Sequence, residues 1–208
     1  KKRKIKPKVV LISNKIKIEN GISVIGNKLV DNYYSNKEYI FKNSNFFKLQ
    51  HNKINLAICF AALVLLGLKP KNILKKISLF EGLPHRLELL GKINNIKFFN
   101  DSKATNVAAT CSALSSFNKV ILIAGGSRKG DNFQPLLRYK NIIFEAFLIG
   151  ETANEIARAL KKNCKVSICK DLKEAVEKSY TKNVKLGKSY PILFSPGCAS
   201  FDSYISFE

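Results

Sequence analysis

Between Val9 and Phe41 the apolar positions fall in short runs, Val9 to Ile12, Ile16 to Ile18, Ile22 to Ile25 and Glu38 to Phe41, separated by Asn, Gly and Ser. Runs of this length bounded by turn formers predict strands, here a small meander that continues a sheet begun upstream. The pattern then lengthens. His51 to Leu66 carries alanines at 57, 61 and 62 among leucines and is followed by Gly67. That predicts a buried helix with a glycine stop. Pro70 to Ser78 predicts a second helix with proline at its first position.

The pattern changes after Gly82-Leu83-Pro84. Arg86 to Leu90 and Ile96 to Phe99 predict a hairpin about Asn94-Asn95, and Ala104 to Ser116 predicts a helix. Strand-like and helix-like segments then alternate through Val120–Ala124, Phe133–Leu137, Ile142–Ile149, Ala153–Leu160, Lys165–Cys169, Leu172–Tyr180 and Pro191–Phe194. Such alternation predicts an α/β, doubly wound domain with a mostly parallel sheet. Ligands in that architecture bind at the carboxyl ends of the strands. The change of pattern places a boundary between residues 79 and 86, giving a first domain at 1–82 and a second at 83–208.

Charge alters this picture less than its size suggests. A net charge of +21 would draw polyphosphates from a distance. The excess comes from 31 lysines against five arginines, and lysine is enriched together with asparagine and isoleucine in loops, helices and strands alike. No arginine-rich or aromatic-interleaved reader motif accompanies it. The expectation is therefore compositional drift and no nucleic-acid partner, with a basic nucleotide- or nucleic-acid-binding module as the alternative class. The five cysteines are odd in number and form no Cys-x-x-Cys pair, so they predict reduced thiols in a cytoplasmic protein. The longest apolar run, Leu56 to Leu66, is too short to cross a bilayer, and no membrane insertion is expected. The basic start lacks a cleavage-type segment and the chain contains no methionine, which fits an internal piece of a longer protein.

Five polar clusters sit where strands or helices end. Asn52 and Asn55, three apart after His51, share a helix face and can bond a purine edge or cap the helix. Gly82-Leu83-Pro84-His85-Arg86 is a rigid turn that offers an imidazole and a guanidinium fork to a base and a phosphate, or is a plain hinge. Asn100-Asp101-Ser102-Lys103-Ala104-Thr105-Asn106 leads from a strand into a helix, where backbone amides favour an anion. Its Asp101 and Lys103 can address ribose and phosphate, or cap the helix and meet solvent. Gly125-Gly126-Ser127-Arg128-Lys129-Gly130 lets the backbone approach a ligand while Lys129 meets a carboxylate, or is a simple turn. It is not a phosphate-binding loop of the G-x-x-x-x-G-K-[ST] type, and Gly187-Lys188-Ser189 fails the same test at Lys182. Ser195-Pro196-Gly197-Cys198-Ala199-Ser200-Phe201-Asp202 forms another anion-receptive start. Cys198 is not read as a nucleophile, because no histidine is placed to pair with it.

Taken in order, these segments resemble the Mur ligase family, most of all its branch that adds D-glutamate to UDP-N-acetylmuramoyl-L-alanine. Asp-Ser-Lys-Ala-Thr at 101–105 is the discriminating stretch, and the similarity runs from about residue 50 to 208. The resemblance implies the end of a central ATPase-type domain followed by a Rossmann-like amino-acid-binding domain. It implies ATP contacts at Asn52, Asn55, His85, Arg86 and Asp101, a D-glutamate pocket at Thr105, Lys129, Ser200 and Phe201, and catalytic roles for Lys103 and Arg86. Arg128 stands where many members have an aspartate. ATP and Mg2+ are the implied cofactors, with an acyl phosphate as intermediate and a monomer as the full-length state. The phosphate-binding loop, the magnesium ligands and the uridine-binding domain are expected upstream of Lys1, so no metal ligands and no turnover are expected of these 208 residues alone. A related ATP-dependent amino-acid ligase with another substrate is the nearest alternative.

Overall fold

The structure is a computed structural model that describes residues 9–41, 47, 50–128, 130, 132–162 and 164–199. The chain forms two compact units, Lys1–Glu81 and Gly82–Glu208.

In the first unit β1 (Leu11–Ser13), β2 (Gly21–Ile25), β3 (Lys28–Asp31) and β4 (Lys37–Ile40) form one sheet in that order. The pattern predicts a meander, but β1 runs parallel to β2, and only β2, β3 and β4 alternate in direction. Ile16 to Ile18, read as a strand from its isoleucines, is not one. The Ser13 hydroxyl accepts the amides of Lys15 and Ile16 and turns the chain there. The strand overlooked in the pattern is β3, where lysine and aspartate flank only two apolar residues.

Helix α1 (Gln50–Leu65) buries Leu56, Ala57, Phe60 and Ala61 in one cluster with Ile22, Val24 and Leu29 of the sheet. It is half-buried rather than buried all round, since Ile58 is 52% exposed and Leu65 65% exposed. Gly67 ends it in the left-handed region at φ 88, where its amide and that of Leu68 reach back to Val64 and Leu63 carbonyls. Helix α2 (Pro70–Ser78) follows, with proline in its first turn, where the missing N–H leaves no intrahelical bond unmade.

In the second unit β5 (Glu88–Ile93) and β6 (Ile96–Asn100) form the hairpin. Asn94 and Asn95 both take positive φ at its tip, as a tight turn matched to strand twist requires. β6, β10 (Ile192–Phe194), β7 (Val120–Gly125), β8 (Ile143–Ile149) and β9 (Lys165–Ile168) then lie side by side, all parallel. The last strand in sequence is inserted between the second and third of this unit. The chain therefore reverses its direction of travel across the sheet, and a switch point opens beside β10.

Helices α3 (Val107–Leu114) and α4 (Ala153–Leu160) and the 3-10 helix Gln134–Tyr139 contribute Leu114, Ile156 and Leu136 to one core. α5 (Leu172–Lys185) contributes Ala175 to a second. β7 divides its side chains between the two with a period of two: Val120, Leu122 and Ala124 enter the first, Ile121 and Ile123 the second. Every one of these residues is 1% exposed or less, which explains the unbroken apolar run Val-Ile-Leu-Ile-Ala. α3 begins three residues later than the periodicity predicts. Asn106, whose Oδ1 accepts the Ala109 amide at 2.9 Å, caps the helix at that point and leaves 101–105 as a turn.

Because Leu122 sits in the central strand with no exposed surface, Leu122→Ala leaves a cavity that cannot collapse. The expected loss is about 3 kcal/mol in urea unfolding, against less than about 0.5 kcal/mol for Ile93→Ser on the exposed edge of β5.

Candidate functional site

The predicted clusters of the second unit gather at the carboxyl ends of β6, β7, β8 and β10. The first of them is organised by one carboxylate. Asp101 follows β6 directly and is 8% exposed. Its Oδ2 accepts the Ser195 hydroxyl at 2.7 Å, and its Oδ1 accepts the Leu87 amide at 3.0 Å. Its own amide donates to the Phe194 carbonyl at 2.8 Å. One side chain thus ties the 83–88 joint, the end of β6 and the end of β10. Burial pushes the Asp101 carboxyl above its ordinary value, while the Ser195 hydroxyl, the Leu87 amide and the Arg86 guanidinium pull it down. Thr110 on α3 completes the group. Its hydroxyl donates to the Ser195 carbonyl at 3.3 Å and lies 3.1 Å from Ser195 Oγ.

Around this brace the other predicted residues take fixed positions. His85 and Leu87 both adopt positive φ, an arrangement that costs free energy in non-glycine residues and is held by named bonds. The His85 amide donates to Glu88 Oε2 at 2.8 Å, its Nδ1 is 2.8 Å from Asn100 Nδ2, and its carbonyl accepts the Lys103 amide at 3.1 Å. His85 and Arg86 are exposed, and Lys103 and Thr105 are half-buried in the turn before α3. The Ala104 carbonyl accepts the Gly197 amide at 2.9 Å, so the backbone next to Thr105 is joined to the segment that follows β10. The structure therefore brings His85, Asp101, Lys103 and Thr105 into one bonded group, with the Arg86 guanidinium acting on Asp101 through its charge. Both Asp101 oxygens already accept internal donors, so a nucleotide hydroxyl has only their remaining lone pairs to use.

A second group lies at the ends of β7 and β8. The Ser127 amide donates to the Ala199 carbonyl at 2.8 Å, forming an isolated bridge between the glycine loop and the stretch after β10. Arg128 turns away from that loop towards α4, with Nη2 at 2.7 Å from Glu155 Oε1, and its amide donates to Glu151 Oε2 at 2.9 Å. Lys129, Ser200 and Phe201, expected to line an amino-acid pocket, lie outside the described residues. A cleft of about 770 Å³ flanks α3 and is lined by Asn106, Cys111, Ser112, Asn132, Arg138 and Tyr139.

Asn52 and Asn55 belong to the first unit. Asn52 is buried and Asn55 exposed, and both line a largely apolar cavity of about 760 Å³ with Leu56, Cys59, Ile73 and Phe80. Among the described residues no group of three or more His, Cys, Asp or Glu side chains is placed to hold a metal ion. Among them, too, no helix is long and apolar enough to cross a membrane.

Sequence reasoning missed the residues that hold the site rather than face outward from it. Ser195 was quoted only as part of its cluster, and Thr110 was hidden inside an apolar helix. Thr152 and Glu155 carried no motif; a threonine directly after a strand-end Gly-Glu was the available signal.

The family described as "Mur ligase, glutamate ligase domain" matches residues 85–191. The chain is 33% identical over 192 residues to the UDP-N-acetylmuramoylalanine--D-glutamate ligase of Rickettsia bellii (strain RML369-C), covering 92% of this chain and 43% of that protein. It is 36% identical over 202 residues to the ligase of the same name from Bacillus cereus (strain AH187), covering 96% of this chain and 44% of that one. The chain thus spans less than half the length of these curated relatives. Among solved structures, the UDP-N-acetylmuramate-alanine ligase MurC of Thermotoga maritima superposes with a TM-score of 0.60 at 16% identity, over 82% of this chain and 39% of its own. MurF of Acinetobacter baumannii gives 0.60 at 19% identity, over 74% and 36%. At these identities the structures establish the fold.

The Asp101 brace generates a prediction for this region. Asp101→Ala leaves the Leu87 amide without its acceptor and the Ser195 hydroxyl with only Thr110 Oγ1, and is expected to cost about 1–3 kcal/mol in urea unfolding. The parent's raised carboxyl means that the folded state binds the proton more tightly than the unfolded state does. Its stability contribution is therefore largest below the ordinary value of 3.8 and falls as pH rises through the folded value. Asp101→Asn does not titrate, so the stability of the parent relative to this variant should increase as pH is lowered through that window.

Proposed function

The chain belongs to the Mur ligase family, and from that premise we propose that it serves the ATP-dependent joining of D-glutamate to UDP-N-acetylmuramoyl-L-alanine, a step in making peptidoglycan precursors in the cytoplasm. The observation that carries this reading is the likeness to D-glutamate ligases over nearly the whole chain, with the 101–105 turn and the 195–199 segment bonded to each other at strand ends.

In the proposed reaction a carboxylate oxygen of the L-alanyl group attacks the γ-phosphorus of ATP and ADP departs, leaving an acyl phosphate. The D-glutamate amine then attacks the acyl carbon, phosphate departs with the bonding electron pair, and the nitrogen loses a proton. No step needs a covalent enzyme nucleophile, so positioning and charge stabilisation supply the rate. Within the second unit, Arg86 is proposed for the ATP phosphates and His85 for the base. Lys103 is proposed beside the reacting centre, and Thr105, Lys129, Ser200 and Phe201 for D-glutamate. Within the first unit, Asn52 and Asn55 offer amides in an apolar cavity suited to a flat base. Among the described residues no three His, Cys, Asp or Glu side chains gather to hold a metal ion.

The 208 residues contain no G-x-x-x-x-G-K-[ST] loop, so the chain by itself is proposed to bind amino acid without turnover. Titration calorimetry of the 208-residue chain should show D-glutamate binding at least about tenfold tighter than L-glutamate, and Lys129→Ala should weaken it by a similar factor. No phosphate release is expected when ATP and both substrates are added. Equal affinity for the two enantiomers would remove the substrate assignment, and turnover would remove the claim of inactivity.

A further inference from the structure

Thr152 stands at the N-cap of α4, where a threonine hydroxyl ordinarily accepts an amide of its own helix. It makes no such bond. Instead its Oγ1 accepts the Gly126 amide at 3.1 Å and donates to the Gly126 carbonyl at 3.0 Å, while its own amide donates to the same carbonyl at 3.1 Å. The hydroxyl proton is thereby spent on Gly126, so the contact of 3.2 Å with Cys198 Sγ is one in which the thiol donates. Thr152 is 1% exposed and Cys198 1% exposed, so neither bond has water as a ready substitute.

The three segments joined by this side chain follow β7, β8 and β10. Gly126 is the point of closest approach, since a Cβ there would come within 2.2 Å of the Ala199 carbonyl and 3.2 Å of the Cys198 Cβ. At this close approach both polar backbone atoms of Gly126 are held by Thr152. From Gly126 the bond of Ser127 to Ala199 follows, two residues before Lys129 and one before Ser200 in the sequence.

We infer that Thr152 is a positioning residue, whose hydroxyl sets the relative placement of the glycine loop and the segment after β10 for the amino-acid substrate. This rests on the D-glutamate reading of those two segments. The helix gives up its own cap to supply the bond, a local cost that helix stability alone does not explain. Glu155 supports the arrangement one turn further on by drawing Arg128 onto α4, so that this cation is held off the loop.

The test compares Thr152→Val, which keeps the branched shape, with Thr152→Ser, which keeps the hydroxyl, in the 208-residue chain. Amide hydrogen exchange at Gly126 is expected to be at least about tenfold faster in Thr152→Val, the factor implied by one unpaired buried donor, and near the parent rate in Thr152→Ser. Exchange at Leu122 in the centre of β7 is expected to stay within about threefold of the parent in both variants. D-glutamate affinity should fall with Thr152→Val and be restored in Thr152→Ser. An unchanged Gly126 rate in Thr152→Val, or an equal acceleration at Gly126 and Leu122, would overturn the inference, the second by making Thr152 a general stability residue. A parent chain that ignores D-glutamate counts against the substrate reading, while the Gly126 rate still decides whether Thr152 fixes the loop.

Discussion

The second unit depends on keeping polar backbone at a switch point where three parallel strands end close together. Carbonyls and amides that leave a sheet there cannot stay buried unpaired, and helices on both faces leave little room for water. The Asp101 carboxylate meets this constraint on one side of β10 by accepting from Leu87 and Ser195. The Thr152 hydroxyl meets it on the other through Gly126 and Cys198. Between them the strand ends acquire a fixed geometry, and the half-buried Lys103 and Thr105 are presented from a turn with no regular structure of its own. The strained conformations of His85 and Leu87 are tolerated for the same reason: bonds to Glu88, Asn100, Lys103 and Asp101 determine where that stretch of chain runs.

The division of labour follows from this. In the second unit the described residues proposed to touch ligand, His85, Arg86, Lys103 and Thr105, are exposed or half-buried, whereas Asp101, Thr110, Thr152 and Ser195 are buried and hydrogen-bonded. Large positive charge plays no visible part in the brace, whose donors are mostly neutral hydroxyls and amides. Arg128 illustrates how a cation in a binding loop can be neutral in effect. Its Nη2 lies 2.7 Å from Glu155 Oε1 on α4, so its charge is partnered within the protein.

Much of the architecture was legible in the order of residues. The apolar run of β7, the Asn94-Asn95 turn and the proline at the start of α2 each carry a local physical signal that tertiary packing did not override. The four-strand sheet of the first unit was harder, because β3 has only two apolar residues and Ile16 to Ile18 has as many in the wrong place. Turn chemistry at Ser13 decided the matter against hydrophobicity. In the site, outward-facing groups could be found from motifs such as Asp-Ser-Lys-Ala-Thr. The inward-facing ones could not, since a buried threonine in an apolar helix, or at a helix start, looks the same in sequence whether it caps its own helix or bonds a loop twenty-six residues away.

We propose that the braced strand ends of the second unit form an amino-acid site of a D-glutamate-adding ligase. The most direct measurement is a crystal structure of this chain grown with D-glutamate. The ligand is expected at the ends of β6, β7 and β10, with a carboxylate within hydrogen-bond distance of the Thr105 hydroxyl. Ligand seated instead in the cleft by Arg138 and Tyr139, with the Thr105 turn empty, would contradict it.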